Sequence, residues 1–243
     1  MNIVKVHKTD IKVDITGLDK TTIARIENGR YEGASRKLCA KVLDPSLPFL
    51  ELGGCMGVQA NETDPNLDNP ELHVVVEASP WVCELNERNK KLNNSKYTII
   101  NKAIHGSLES VSFRVPEKGQ EFIMTGSVVL PGSKRIRYPN GVVGEMGTNV
   151  VEVPATNVTK LLNDIGWDEA AILCDIEGSE FNLLMEDMEA FVDRCPWLVI
   201  EWHPKSRKKG FGYRKNLHKQ LCENKEFVPE ASNNANMTFY RNK

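Results

Sequence analysis

Pro48-Phe49-Leu50-Glu51-Leu52-Gly53-Gly54-Cys55-Met56-Gly57 decides the fold of this chain. A short apolar run ends in glycines, as a buried strand does when it turns sharply into a helix. The same grammar recurs downstream. His73-Val74-Val75-Val76-Glu77 and Tyr97-Thr98-Ile99-Ile100 are apolar runs of strand length. Between them a helix is predicted from Pro80 to Leu92, with Val82, Leu85, Asn89 and Leu92 spaced for one face. Ala171-Ile172-Leu173-Cys174-Asp175 follows a predicted helix from Asn157 to Ile165, and Trp197-Leu198-Val199-Ile200-Glu201 follows a helical stretch from Phe181 to Phe191. Strands that are apolar throughout and separated by helices belong to a parallel sheet covered on both faces. A last helix, Tyr213 to Asn224, leads to Phe227-Val228 and Met237-Thr238-Phe239-Tyr240, which read as a hairpin around an Asn-rich turn. The fold class is α/β, a Rossmann-like three-layer sandwich.

Upstream, Ile11 to Ile15 alternates as a strand, Thr22 to Ile26 is expected to form another, and Asn28-Gly29 is a turn signal. A helix fits Ser35 to Leu43, ended by Pro45 and Pro48. With no repeat or low-complexity linker, the reading is one domain over residues 1–243: a lead-in over 1–44 and a core over 45–243. The glycine-rich stretch from Gln120 to Val150, with its basic cluster Lys134-Arg135-Ile136-Arg137, reads as an insertion between the third and fourth parallel strands. It is expected to be a hairpin that either contacts substrate or extends a sheet.

An apolar fraction of 40% in 243 residues suffices for a sizeable core, and a net charge of −2 provides no global field toward nucleic acid or anionic lipid. No apolar run has membrane-spanning length, and Met1 to His7 lacks the apolar core of a secretory signal. The six cysteines show no CxxC spacing, so they are read as reduced thiols in a cytoplasmic-type compartment.

Ligands of open α/β sheets bind outside the carboxyl ends of the strands. The turn after Glu51 is not a dinucleotide fingerprint, because Cys55 and Val58 stand where GxGxxG needs glycine. Charge separates the possible cofactors. From Val42 to Glu87 there is no lysine or arginine, while Asp44, Glu51, Glu62, Asp64, Asp68, Glu71, Glu77, Glu84 and Glu87 are acidic. A pyrophosphate would face carboxylates there, whereas S-adenosylmethionine, net positive, suits them. Glu77, at the end of the second strand, is placed to accept hydrogen bonds from ribose hydroxyls; the competing reading is a cap for the helix that follows. The expected cofactor residues are Glu51, Gly53, Gly54, Cys55, Gly57, Glu77, Ala78 and Ala103, the last in the loop Asn101-Lys102-Ala103-Ile104 that borders adenine in this architecture.

Asp175-Ile176-Glu177-Gly178-Ser179-Glu180 ends the fourth strand and Glu201-Trp202-His203-Pro204 the fifth. Asp175, Glu177 and His203 are the candidate catalytic residues, able to take or hold a hydroxyl proton. Glu180 is read as starting the next helix. Asp175, Glu177, Glu201 and His203 are also metal-ligand types, but no ligand spacing supports it and no metal site is expected. The basic run Lys205, Arg207, Lys208, Lys209, Arg214, Lys215 and Lys219 is either solvated surface or a patch for an anionic acceptor.

These residues resemble the FkbM-type methyltransferases. The resemblance spans roughly Pro48 to Pro204 and rests on Phe49 to Val58, Val76-Glu77-Ala78-Ser79-Pro80, Asn101 to Ile104, Leu173 to Glu180 and Ile200 to Pro204; Asp-Ile-Glu-Gly-x-Glu is its most specific element. It implies a seven-stranded sheet with the last strand antiparallel, O-methylation, often of sugars or natural products, and a cofactor held by Glu51, Gly53, Gly57 and Glu77. The chain departs from the family at Pro154-Ala155-Thr156-Asn157-Val158, which lacks the usual Thr-Leu-Asp, and at Pro65, which shortens the helix after the glycine turn. The expectation is an S-adenosylmethionine-dependent O-methyltransferase acting on a hydroxyl of a small molecule or glycan. A non-catalytic cofactor- or partner-binding member and a nucleic-acid methyltransferase are the rivals. Charge and composition disfavour the last.

Overall fold

The computed structural model describes residues 2–114, 127–128, 135–137, 143–145, 150–203, 207–229 and 236–243. The lead-in contains β1 (Ile3–Lys5), β2 (Lys12–Asp14), α1 (Lys20–Glu27) and α2 (Gly33–Val42). Then come β3 (Phe49–Leu52), α3 (Val58–Thr63), β4 (His73–Glu77), α4 (Pro80–Asn93), β5 (Thr98–Asn101), β6 (Ala103–Ile104) and β7 (Ser110–Arg114). The insertion holds β8 (Ser127–Val128), β9 (Arg135–Arg137) and β10 (Val143–Glu145), and β11 (Val150–Thr156) leads out of it. The second half is α5 (Val158–Ile165), β12 (Ala171–Cys174), α6 (Glu180–Glu186), α7 (Met188–Asp193), β13 (Trp197–Glu201), α8 (Arg207–Asn224), β14 (Lys225–Phe227) and β15 (Met237–Asn242).

The central sheet has seven strands in the order β14-β15-β13-β12-β3-β4-β5. The steps from β13 to β5 are parallel, and β15 runs antiparallel to both β13 and β14. That is the α/β sandwich and the reversed final strand expected from the sequence. Strand alternation divides the core. Leu50, Leu52, Val74, Val76, Ile172 and Ile200 pack against α5, α6, α7 and α8 through Leu161, Leu184, Phe191 and Leu221. On the other face Phe49, Leu173 and Val199 pack with Leu38 and Cys39 of α2. Each such side chain, fully buried, contributes roughly 1.5–3 kcal/mol of transfer free energy.

Two local expectations are corrected. Thr22 to Ile26 is helix α1, not a strand, because the Asp19 carboxylate accepts from the amides of Thr21 and Thr22 at 2.8 and 2.9 Å and starts a helix there. The single helix expected from Phe181 to Phe191 is two. Asp187 leaves the helical conformation, and its carboxylate accepts from Thr159 N at 3.0 Å and Thr159 Oγ1 at 2.5 Å, tying the break to the first turn of α5.

The lead-in is held on by polar contacts to α4. Asn89 and Asn93 accept from the backbone amides of Asp14 and Lys12, and Arg88 pairs with Asp14 at 2.9 Å. Behind these contacts Val13, Ile26 and Tyr31 pack on Met56, Val58 and Leu85. A second sheet, β6-β11-β7-β8, stands beside the central one, and β9 pairs antiparallel with β10, the hairpin expected in the insertion. Lys134, Pro204 and Lys205 lie outside the described residues, as do the side chains of Arg135, Arg137, Arg207, Lys208 and Lys209, so the insertion's proposed substrate contact and most of the basic run do too. No helix among the described residues is long and apolar enough to cross a membrane, and all six cysteines are free thiols.

Candidate functional site

The chain reverses its direction of winding between β3 and β12, so the loops after these strands lie side by side. Asp175 N donates to Leu52 O at 2.9 Å. Gly53 has φ +90°, and a Cβ built on it would sit 1.8 Å from the carbonyl oxygen of Asp175. Only glycine admits both the angle and the approach. Gly54 would place a Cβ 1.9 Å from Val75 Cγ1, and Gly57, at φ +79°, would place one 2.3 Å from Asn86 Oδ1. Cys55 takes the left-handed conformation without being glycine, at φ +43°. The turn is therefore bare backbone pressed against β4, α4 and the end of β12.

Glu77 closes the other side. Its Oε2 accepts from Cys55 N at 2.9 Å and its Oε1 from Ser79 N at 2.7 Å. Burial pushes this carboxyl above the usual carboxylate range, and the backbone hydrogen bonds from Ser79, Cys55 and Ala78 oppose that. Two of its lone-pair positions hold the loop and the start of α4, and a carboxylate has others. Ala78 is half-buried and Ala103 is buried, both in a small cluster with Val111, Val153 and Ala155.

Glu51 departs from the expected picture. Its side chain is 3% exposed and faces His73, with Oε2 3.8 Å from His73 Nε2 and without a hydrogen-bond partner. Alternation along β3 turns Glu51 away from the Leu50 and Leu52 face and onto the side that carries His73 and Phe49. Its side chain is turned to the buried His73 and does not join Glu77 at the turn's surface. His73 Nδ1 is 3.5 Å from Asp64 Oδ1, so the imidazole sits fully buried between two carboxylates. Burial works against its charge, but Asp64 and Glu51 outweigh it and raise its pKa.

The sequence reading missed the residues that hold the turn. Asn86 Nδ2 donates to Cys55 O at 2.9 Å, Asn89 Nδ2 to Met56 O at 2.9 Å, and Asn101 Nδ2 to the carbonyls of Glu77 and Ala78. Asn86, Asn89 and Asn93 are spaced i, i+3, i+7 on α4. Amides recurring on the face of a helix that also carries Leu85 were the signal available in the sequence.

The loops after β12 and β13 bring Asp175, Glu177 and His203 together, as expected, and add Glu180 and Glu201. Glu177 and Gly178 both have positive φ, +52° and +97°. That sharp turn is closed by Glu180, whose Oε1 accepts from Ile176 N at 3.2 Å and Gly178 N at 3.0 Å. The same oxygen lies 3.0 Å from His203 Nδ1. Glu180 thus starts α6, as the sequence suggested, and also fixes the imidazole. His203 Nδ1 is 3.9 Å from Asp175 Oδ1, and its Nε2 is 3.9 Å from Glu177 Oε2 and 3.8 Å from Glu201 Oε1. Burial opposes charge on His203, but the Glu180 hydrogen bond and the surrounding carboxylates push its pKa up to about 9. Burial, then the charge of Glu201, drives the Asp175 carboxyl well above its ordinary value, against the pull of His203.

No curated protein matches the chain. Among solved structures, similar folds include an rRNA methylase from Streptococcus thermophilus, at 8% identity and a TM-score of 0.45, covering 86% of this chain and 93% of that one. Precorrin-6y C5,15-methyltransferase from Geobacter metallireducens GS-15 is similar at 13% identity and a TM-score of 0.44, covering 92% and 90%. The N-terminal domain of human METTL16 in complex with SAH is similar at 9% identity and a TM-score of 0.42, covering 87% and 67%. Residues 53–227 match the methyltransferase FkbM domain, a span that runs from the glycine turn through β14. That span exceeds half of the sequence, and the protein belongs to the FkbM methyltransferase family, with S-adenosylmethionine as its cofactor.

Proposed function

We propose that the protein transfers a methyl group to a hydroxyl oxygen of a small molecule or glycan. The observation that carries this reading is the set of carboxylates, Asp175, Glu177 and Glu201, gathered on the His203 imidazole from the ends of β12 and β13, with Asp175 against the glycine turn. The residues of the turn fit the cofactor. The glycines pack the turn against Asp175, Val75 and Asn86 with no side chains of their own to obstruct a ligand, and the Glu77 carboxylate has lone pairs beyond those that hold Cys55 and Ser79 to offer ribose hydroxyls. Gly53, Gly54, Cys55, Gly57 and Glu77 would hold it. When bound, S-adenosylmethionine supplies an electrophilic methyl group.

The remaining chemistry belongs to the chain. A neutral hydroxyl gains nucleophilicity as its proton is drawn off, and Asp175 and Glu177 are the carboxylates that receive it, held in place by the charged imidazole of His203. Glu180 positions His203 from behind. Four carboxylates at this place repel a phosphodiester backbone, which favours a small or sugar-like acceptor over nucleic acid. Incubation with methyl-labelled cofactor and pools of hydroxylated acceptors tests the proposal. Label is expected in an ether that survives base. Glu177→Gln is expected to lower kcat by about 10²–10⁴ while cofactor affinity stays within a factor of two or so. Label found only on nitrogen, carbon or RNA would overturn it.

A further inference from the structure

The same cluster carries more negative charge than a proton relay requires. Four carboxylates, Asp175, Glu177, Glu180 and Glu201, converge on one imidazole. We propose that Asp175, Glu177 and His203, with Glu201 beside them, form a binding site for a divalent cation of the manganese or magnesium class. One donor atom from each of the first three lies within 4.8 Å of the other two. The separations of 3.9 and 3.8 Å from His203 Nε2 to the Glu177 and Glu201 oxygens are too long for hydrogen bonds. They suit neighbouring ligands around a common ion, which sit about 3–4 Å apart at metal–ligand distances of about 2.0–2.2 Å.

Two further observations point the same way. Glu180 accepts at Nδ1 of His203 and leaves Nε2 on the side of Glu177 and Glu201. A carboxylate behind the imidazole, with the opposite nitrogen turned to other ligands, is the arrangement that orients metal-bound histidine. Glu180 is also fully buried, and its Oε2 has no hydrogen-bond partner. A buried carboxylate in that state is stabilised by positive charge nearby. Oxygen donors with a single imidazole select a hard or borderline ion, and manganese tolerates the nitrogen better than magnesium does.

Binding of the ion stands apart from the choice of acceptor. Its use, to hold the acceptor oxygen and acidify its hydroxyl, rests on the reading above. The experiment is a Mn²⁺ titration of the full chain, without cofactor, followed by the electron paramagnetic resonance signal of free Mn²⁺. About one equivalent is expected to bind. Asp175→Asn and Glu177→Gln should each weaken binding at least tenfold, and Glu180→Gln about 10–100-fold through the orientation of His203. Glu84→Gln, on the exposed side of α4, should leave it unchanged. The Glu177 side chain is 44% exposed, so its variant retains the fold even where Asp175→Asn does not. If the imidazolium alone balances the carboxylates, the free Mn²⁺ signal stays undiminished up to millimolar protein, and the proposal fails. It fails equally if Glu177→Gln and Glu180→Gln bind as the parent does. Calorimetry with S-adenosylmethionine on the same samples keeps the two readings separate: absence of cofactor binding strikes the function, absence of Mn²⁺ uptake strikes the ion site.

Discussion

Replacing Gly53 with alanine tests the link between fold and site. The new Cβ would meet the Asp175 carbonyl oxygen at 1.8 Å and its carbon at 2.8 Å, at a backbone φ of +90°. Left-handed backbone costs a non-glycine residue roughly 1–2 kcal/mol. Clearing a clash in a packed interior adds about 1–3 kcal/mol. The obstacle is backbone at the end of a central strand, so no side-chain rotation relieves it. A destabilisation of about 2–5 kcal/mol lowers the melting temperature of a domain this size by about 5–15 °C. Because the displaced group is the backbone of Asp175, cofactor affinity and methyl transfer should fall with stability. Gly33→Ala is the internal control. Gly33 opens α2, and a Cβ there meets nothing within 4 Å, so the melting temperature should hold or rise slightly. Scanning calorimetry with and without S-adenosylmethionine reads both effects. A Gly53→Ala protein that melts within about 2 °C of the parent and keeps its cofactor affinity would refute the account of two loops in contact.

Three other outcomes are expected. Glu77→Gln removes a charged acceptor from the turn and should raise the cofactor Kd about 10–100-fold by calorimetry, in keeping with about 1.5–3 kcal/mol for a charge-assisted hydrogen bond; an unchanged Kd would assign Glu77 to capping alone. The raised pKa of His73 means that the charged imidazole, facing Asp64 and Glu51, adds stability. That stability is fully present below the unfolded value near 6.5 and is lost as pH rises through the higher folded value. The parent should therefore lose more thermal stability than His73→Gln between pH 6 and 9, and parallel melting curves for the two would remove His73 from the account. Ile26→Ala opens a cavity where the lead-in packs on Met56 and Leu85, and should cost about 2–5 kcal/mol in chemical denaturation; a shift under about 1 kcal/mol would show the lead-in to be loosely attached.

The sequence by itself determined the layered α/β architecture, because continuous apolar runs such as His73–Glu77 and Trp197–Glu201 can be buried on both faces only inside a parallel sheet. It determined the glycine turn as well, because backbone at positive φ and within van der Waals reach of other backbone has few alternatives to glycine. It placed Asp175, Glu177 and His203 at strand ends that the topology then made neighbours. Tertiary structure alone decided which way Glu51 points, since a strand residue's outlook depends on what covers its face, and here that is His73. It also decided that Glu180 braces His203 and that asparagines of α4 hold both the turn and the lead-in. Those contacts join residues more than twenty positions apart, and even where polar side chains recur along a helix, as Asn86, Asn89 and Asn93 do, the spacing does not name a partner that distant. Hydrophobic burial repeats with the backbone and is legible along the chain; hydrogen-bond and charge partners are chosen only when the chain has closed on itself.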